Sequence, residues 1–238
     1  MPPILDLDFM IRSFPVILQY LPMTLLITLV SCLLGLVVAF IVAIIRYFDV
    51  PVLSSVCKLY ISFIRGTPTL VQLFLIYYGL PIVLLACNEK FGTDFNVSGV
   101  DKIVYALFAF SLNTGAFMSE TIRSAILSVG RGQLEACYSV NMSTRQAMIR
   151  VVLPQALAVA LPALGNSFIS TMKETSLAFS IGIVELLAGA RLLGARNSRY
   201  FEVYVDAAIL YWMSCIILEF ILALMEKYLR KHERHPVR

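Results

Sequence analysis

The chain has 238 residues, of which 59% are hydrophobic and 14% charged, with a formal net charge of +4, and its mean hydropathy is +0.84. Soluble domains carry about 25% charged residues, so the composition excludes a soluble globular domain and specifies an integral membrane protein. The five cysteines, Cys32, Cys57, Cys87, Cys137 and Cys215, include no C-x-x-C pair and read as small buried hydrophobes rather than as a disulfide or metal framework.

A membrane span needs about 20 apolar residues. Ser13 to Ile45 carries no charge and predicts a first helix near 20–45. Asp6 and Asp8 stand where a secretory signal would be basic, and the apolar run is too long for a signal core, so it reads as an inserted, uncleaved span. Thr24, Thr28, Ser31 and Gly35 fall on one face of it, where small residues let helices approach closely. Gly66 to Asn88 is again uncharged and predicts a helix near 62–87. Gly92, Asp94, Asn96, Ser98 and Gly99 then mark an external turn region.

Ile103 to Ser119 predicts a third helix, near 102–124. A polar segment over about 128–157 follows. Val151 to Met172 is uncharged, Lys173-Glu174 interrupts the pattern, and apolar character resumes through Val184, which predicts a fourth helix near 158–184. The stretch from Gly189 to Tyr200 suits a short interfacial helix with Arg191, Arg196 and Arg199 toward water or headgroups. Val203 to Met225, with Asp206 and Glu219 inside it, predicts a fifth helix near 203–226. The expected fold is an all-α membrane protein, one transmembrane domain over 1–238 with five helices.

Five spans place the termini on opposite sides, and positive charge favours the inside. With the N-terminus outside, inner segments hold Arg46, Lys58, Arg65, Arg123, Arg131, Arg145 and Arg150, and the tail holds Lys227, Arg230, Lys231, Arg234 and Arg238. Outer segments hold Arg12, Lys90, Lys102, Arg191, Arg196 and Arg199. The bias favours N-out, C-in, although the last outer loop runs against it locally. The tail, with His232 and His235, reads as a solvated face meeting anionic headgroups.

The polar segment predicts a helix, a turn and a second helix on the cytosolic side. Gln133 to Val140 is helix-compatible, and Asn141 suits the left-handed conformation that ends a helix. Met142 follows it, and Ser143 with Gln146 forms an S-x-x-Q capping box. The second helix is expected to stop near Leu153, since a residue preceding proline is biased away from helix, and Pro154 suits the first turn of the next. A structured, capped element between two spans points to docking of a soluble partner; the bland alternative is a plain loop.

The residues from Glu135 to Pro154 resemble the loop of ATP-binding-cassette importer permeases that reads E-A-A-x-x-x-G and ends in a hydrophobic residue and L-P. Glu135, Ala136, Val151, Leu153 and Pro154 match, while Cys137 replaces the second alanine and Asn141 the glycine. Arg65-Gly66-Thr67-Pro68 with Val71-Gln72-Leu73, Glu120-Thr121-Ile122-Arg123 with Gly132-Gln133, Leu164-Gly165-Asn166, Lys173-Glu174-Thr175-Ser176-Leu177 and Ile181-Gly182 resemble signatures of the polar amino acid uptake branch. The similarity spans about residues 14 to 228.

The resemblance implies a permease subunit of the bacterial cytoplasmic membrane that is not itself an enzyme. The chain has no G-x-x-x-x-G-K-[ST] phosphate loop; the nearest string, Gly189 to Arg196, has Ala195-Arg196 in place of the lysine and hydroxyl residue. No cofactor is expected in this chain: ATP-Mg belongs to a dimer of separate ATPase subunits, docked at Glu135, Ala136, Cys137, Asn141, Met142, Ser143 and Arg145. A second permease chain, the same or related, an extracytoplasmic solute-binding protein and a polar amino acid complete the expected partners. Nucleic acid is not among them.

Ionisable residues inside a span are functional candidates. Asn166, Ser170 and Lys173 share one face of the fourth helix, and Ser167, Thr171 and Glu174 share the adjoining one, with Thr175 next in line. This stripe suits a lining for a zwitterion; the alternative is a structural Lys173–Glu174 pair. Asn113 and Glu120 on the third helix are expected to face the same cavity, unless Glu120 pairs with Arg123. Rival readings are an ion-gradient-driven transporter or channel, and a permease for another small solute such as an opine.

Overall fold

The computed structural model describes residues 5–96 and 99–230. The described residues contain helices and turns and no strand. Ser98 of the outer loop and the tail residues Lys231, His232, Arg234, His235 and Arg238 lie outside them.

The first predicted span is preceded by a separate helix that the sequence reading did not assign. Helix α1, Leu7–Leu18, starts where the Asp6 carboxylate accepts the Phe9 N–H at 3.0 Å. Helix α2, Leu21–Tyr47, follows after a two-residue joint, with Pro22 in its first turn. The proline needs no N–H there, so the joint costs the chain little.

The second predicted span is two helices with a break. Helix α3 covers Leu53–Gly66; Thr67 and Pro68 are extended (ψ 148° and 139°); helix α4, Thr69–Phe74, passes through a π turn, Leu75–Gly79, into helix α5, Leu80–Phe91. The cause is local. Proline forces the preceding residue out of the helical region, so the Thr67-Pro68 step ends α3 although the hydropathy is unbroken. Gly92, at φ 64°, closes α5.

Helix α6, Lys102–Ser128, is capped by Asp101, which accepts the Ile103 N–H at 2.9 Å. It forms the middle of the bundle against α2. A Cβ on Gly35 would lie 3.1 Å from the Ser111 carbonyl and 3.2 Å from the Gly115 N, and one on Gly115 would meet Val38 at 3.0 Å. The two glycines therefore let the backbones touch. Thr24, Thr28 and Ser31 on the same face of α2 are fully buried, so this face packs within the chain.

Helix α7, Arg131–Ser139, leads through Asn141 to helix α8, Thr144–Ala147, a π turn, Met148–Val152, and helix α9, Leu153–Glu174. The expected stop near Leu153 does not occur, for Leu153 is helical at φ −62°, ψ −43°. The π turn shifts the hydrogen-bond register just ahead of Pro154, so the missing N–H falls where the pattern already changes. A 3₁₀ segment, Thr175–Ile181, extends α9 and ends at Gly182, φ 82°.

Helix α10, Leu186–Asn197, stands where the short interfacial helix was expected; its first turn is packed inside, while Arg191 and Arg196 are exposed as expected. Leu186, Ala188 and Ala190 are fully buried, and a Cβ on Gly189 would strike the Tyr20 ring. Two of its neighbouring arginines have protein partners: Arg191 lies 4.6 Å over the Phe179 ring, and Arg199 pairs with Asp6 at 3.3 Å and Glu202 at 3.0 Å. Helix α11, Tyr200–Arg230, closes the fold; Val203, Ala207 and Leu210 pack with Leu186, Ala190 and Ile17 of α1.

Four segments are long and apolar enough to cross a membrane: Leu21–Tyr47, Thr69–Phe91, Thr144–Ile181 and Tyr200–Lys227. Helix α6 has 27 residues and is the most enclosed, with Asn113, Thr114 and Ser119 among its buried positions.

Candidate functional site

Helices α6 and α9 run side by side and line a half-open cavity of about 290 Å³. Asn113, Thr114 and Phe117 line it from α6; Asn166, Ser167, Ser170, Thr171 and Glu174 line it from α9. All of the predicted stripe except Lys173 and Thr175 thus opens on one space, because residues three and four apart on α9 lie on one broad side of the helix.

The broken helix braces this wall. Gln72, 3% exposed, donates to the Ile64 carbonyl at 2.8 Å and to Thr67 at 3.0 and 2.9 Å, so one amide closes the backbone that the Thr67-Pro68 step left open. Its Oε1 accepts from Asn113 Nδ2 at 2.9 Å, and Asn113 also donates to the Thr69 hydroxyl at 3.3 Å. The Thr69 hydroxyl acts on Glu174 as well. Thr114 and Thr171 share a hydrogen bond of 2.9 Å across α6 and α9. Gln72, Thr69 and Thr114 were not singled out from sequence for this wall; Gln72 stood in the VQL signature, with no local pattern to place it beside Asn113.

Asn113, Asn166, Ser170 and Glu174 meet in the cavity; three other predicted residues do not. Lys173 is exposed and turned away from Glu174, and no ion pair joins them among the described residues. Thr175 is fully buried and donates to the Met172 carbonyl at 2.7 Å. Glu120 lies nearer the hairpin, in a neighbouring cleft, and its carboxylate is paired with Arg46 of α2, not Arg123. The ordering along α6 explains this: Glu120 is seven residues, two turns, beyond Asn113.

The hairpin's turn is made by Asn141 at φ 61°. The Asn141 N–H donates to the Tyr138 carbonyl at 2.9 Å and the Met142 N–H to the Cys137 carbonyl at 3.0 Å, which satisfies the last carbonyls of α7. The capping box is complete: Gln146 N–H to Ser143 Oγ at 3.3 Å, and Ser143 N–H to Gln146 Oε1 at 2.9 Å. Glu135, Ala136, Asn141, Ser143 and Arg145 are exposed, Met142 is half-buried, and Cys137, Ala147 and Met148 are buried. In the loop after α2, Asp49 accepts from Ser54 at 2.7 Å and faces Lys58 at 3.7 Å, which together hold its carboxyl below the usual range.

Residues 33–231 match the family described as the binding-protein-dependent transport system inner membrane component. The probable amino-acid permease protein YxeN of Bacillus subtilis is 42% identical over 97% of this chain and 98% of its own length. The L-cystine transport system permease protein TcyL of the same organism is 37% identical over 98% and 95%. A crystal structure of an amino acid ABC transporter with histidines superposes with a TM-score of 0.79 at 32% identity, covering 94% of this chain and 98% of that one. A match over most of the chain and an all-helical fold shared with an ABC transporter agree with the motifs around Asn141. The chain belongs to the family of inner membrane components of binding-protein-dependent transport systems, as a multi-pass permease subunit whose family works with ATPase subunits and a solute-binding protein.

Proposed function

We propose that this chain is the permease of an ATP-driven importer of polar amino acids in a bacterial cytoplasmic membrane. The observation that carries the reading is the α6–α9 cavity, onto which the polar groups of Asn113, Asn166, Ser170 and Glu174 all open. In hydrocarbon such groups are costly unless they serve a pathway, and a carboxylate with amides and hydroxyls suits an ammonium with neutral hydrogen-bonding groups. The names of YxeN and TcyL support an amino acid as cargo over an opine, and the family supports ATP over an ion gradient. Helix α6 serves as a fifth span beside the four apolar ones, which puts the N-terminus outside and the C-terminus inside. A second permease chain, identical or related, covers the open side of the groove.

The exposed face of the hairpin, with Glu135, Ala136, Asn141, Ser143 and Arg145, docks on a separate ATPase that binds ATP-Mg. ATPase closure then rocks the spans between two open states. Two variants test the reading in vesicles carrying the full transporter. Glu174→Ala reduces uptake at least about tenfold with assembly intact, a loss of about 1.4 kcal/mol of binding or activation; normal uptake removes Glu174 from the pathway. Asn141→Pro cannot adopt φ 61°, because proline fixes φ near −65°, so it releases the ATPase or separates hydrolysis from uptake. Co-purification with unchanged stimulated hydrolysis counts against docking at this turn.

A further inference from the structure

The cavity at Glu174 continues toward the hairpin. It shares Ala163 with a cleft of about 530 Å³ that includes Arg65, Glu120 and Ser124. That cleft shares Ser128 and Val159 with a third space of about 370 Å³, bounded by Gly130, Gln133 and Gln155. The three spaces lie in sequence along the groove between α6 and α9.

Their charges are unequal. The first cavity contains a carboxylate, amides and hydroxyls and no cationic side chain. It matches an ammonium group, but a zwitterion's carboxylate would enter it with no counter-charge, which desolvation strongly disfavours. Of the cations close by, Lys173 faces away, Arg46 is held by Glu120, Lys58 faces Asp49 at 3.7 Å, and Arg123, although without an ion pair among the described residues, lines neither of the first two spaces. Arg65 is differently placed. Among the described residues it has no ion pair, and its guanidinium lies 5.9 Å over the ring of Phe117. Phe117 walls the first cavity and Arg65 the second, so a single ring separates this cation from the Glu174 space. The following Thr67-Pro68 break is pinned to α6 through Gln72 and Asn113, which holds the end of α3 against the groove. Arg65 is exposed, and a guanidinium near the face of a ring is drawn to it while its donors stay free for a carboxylate.

We propose that Arg65 is the carboxylate-recognising residue of this groove, pairing with the α-carboxylate of an amino acid whose ammonium lies toward Glu174. The inference rests on the pathway reading above. It predicts that the groove discriminates amino acids from their carboxamides, and that Arg65, not Glu174, sets that discrimination.

The test is equilibrium binding to the purified whole transporter without the solute-binding protein. The probes are the twenty radiolabelled L-amino acids and L-cystine, with the amide of the tightest binder as competitor. Wild type is expected to prefer the acid over the amide by at least tenfold. Arg65→Gln should bring that preference to about unity by weakening the acid alone, Arg65→Lys should keep part of it, and Glu174→Gln should weaken acid and amide together. An unchanged preference in Arg65→Gln overturns the proposal, and a loss confined to Glu174→Gln leaves the pathway standing without it. If Arg65→Gln fails to assemble, Arg65→Lys decides: a reduced preference supports the assignment and an unchanged one overturns it. Wild type binding none of the probes, or neither Arg65→Gln nor Glu174→Gln altering binding, removes the pathway reading and the proposal together.

Discussion

Two carboxylates eleven residues apart, Glu174 and Glu185, show how differently one membrane protein uses the same group. Glu185 is 0% exposed and receives three donors, the N–H groups of Leu187 at 3.0 Å and Ala188 at 2.8 Å and the Tyr211 hydroxyl at 2.8 Å. Next to it, Thr24 accepts the Leu186 N–H at 3.1 Å. The chain thus supplies its own partners, and the group joins α10, α2 and α11 as a strut. Glu174 faces a cavity and has no ion pair. A buried polar group is retained either because the fold satisfies it or because something else does: Glu185 is satisfied by the fold, while Glu174 has only the Thr69 hydroxyl beside it and otherwise faces the cavity.

The comparison breaks or sharpens through stability. The largest effect is expected for Glu185→Ala, which leaves two backbone donors and a phenol without an acceptor, at about 3 kcal/mol or more. Thermal unfolding of the detergent-purified protein should show a clear drop in Tm, and an unchanged Tm would move Glu185 out of the structural class. Gly115→Val is next, at about 1–3 kcal/mol by overpacking, because a Cβ there already meets Val38 at 3.0 Å and the Gly35 carbonyl at 3.2 Å; a tolerated valine would show that the α2–α6 contact can open. The smallest effect is expected for Glu174→Gln, within about 0.5 kcal/mol of wild type. A loss as large as that of Glu185→Ala would make Glu174 a second strut.

What was legible in the sequence was the chemistry that acts between near neighbours. The Asn141 turn and the Ser143/Gln146 box depend on residues within a few positions, and both are present. The small face of α2 was legible as packing because spacing alone puts Thr24, Thr28, Ser31 and Gly35 together. What failed needed partners far along the chain or a helix irregularity. The Thr67-Pro68 break lay in an uncharged run, so hydropathy passed over a signal that proline carried. The π turn before Pro154 obeys no sequence rule that would forecast it, so the helix was ended too early. Lys173 and Glu174 are adjacent in sequence but about 100° apart around a helix, and which of the two faces the groove was decided by α6. Arg46, 74 residues from Glu120, could not have been chosen over Arg123 from sequence.

The unbroken helix from Thr144 to Ile181 has a mechanical consequence. From Thr144 to Glu174 it is a rod of about 45 Å at 1.5 Å per residue. A tilt of only about 5° about its lower end would sweep the upper end sideways by about 4 Å over that length, comparable to the width of a small side chain. Load applied beside Ser143 would arrive at Glu174 along covalent bonds and helical hydrogen bonds, with no sliding joint between. Its compliance would sit where those hydrogen bonds are altered or missing, at the Met148–Val152 turn and at Pro162, so these points set how much of a push at one end becomes displacement at the other.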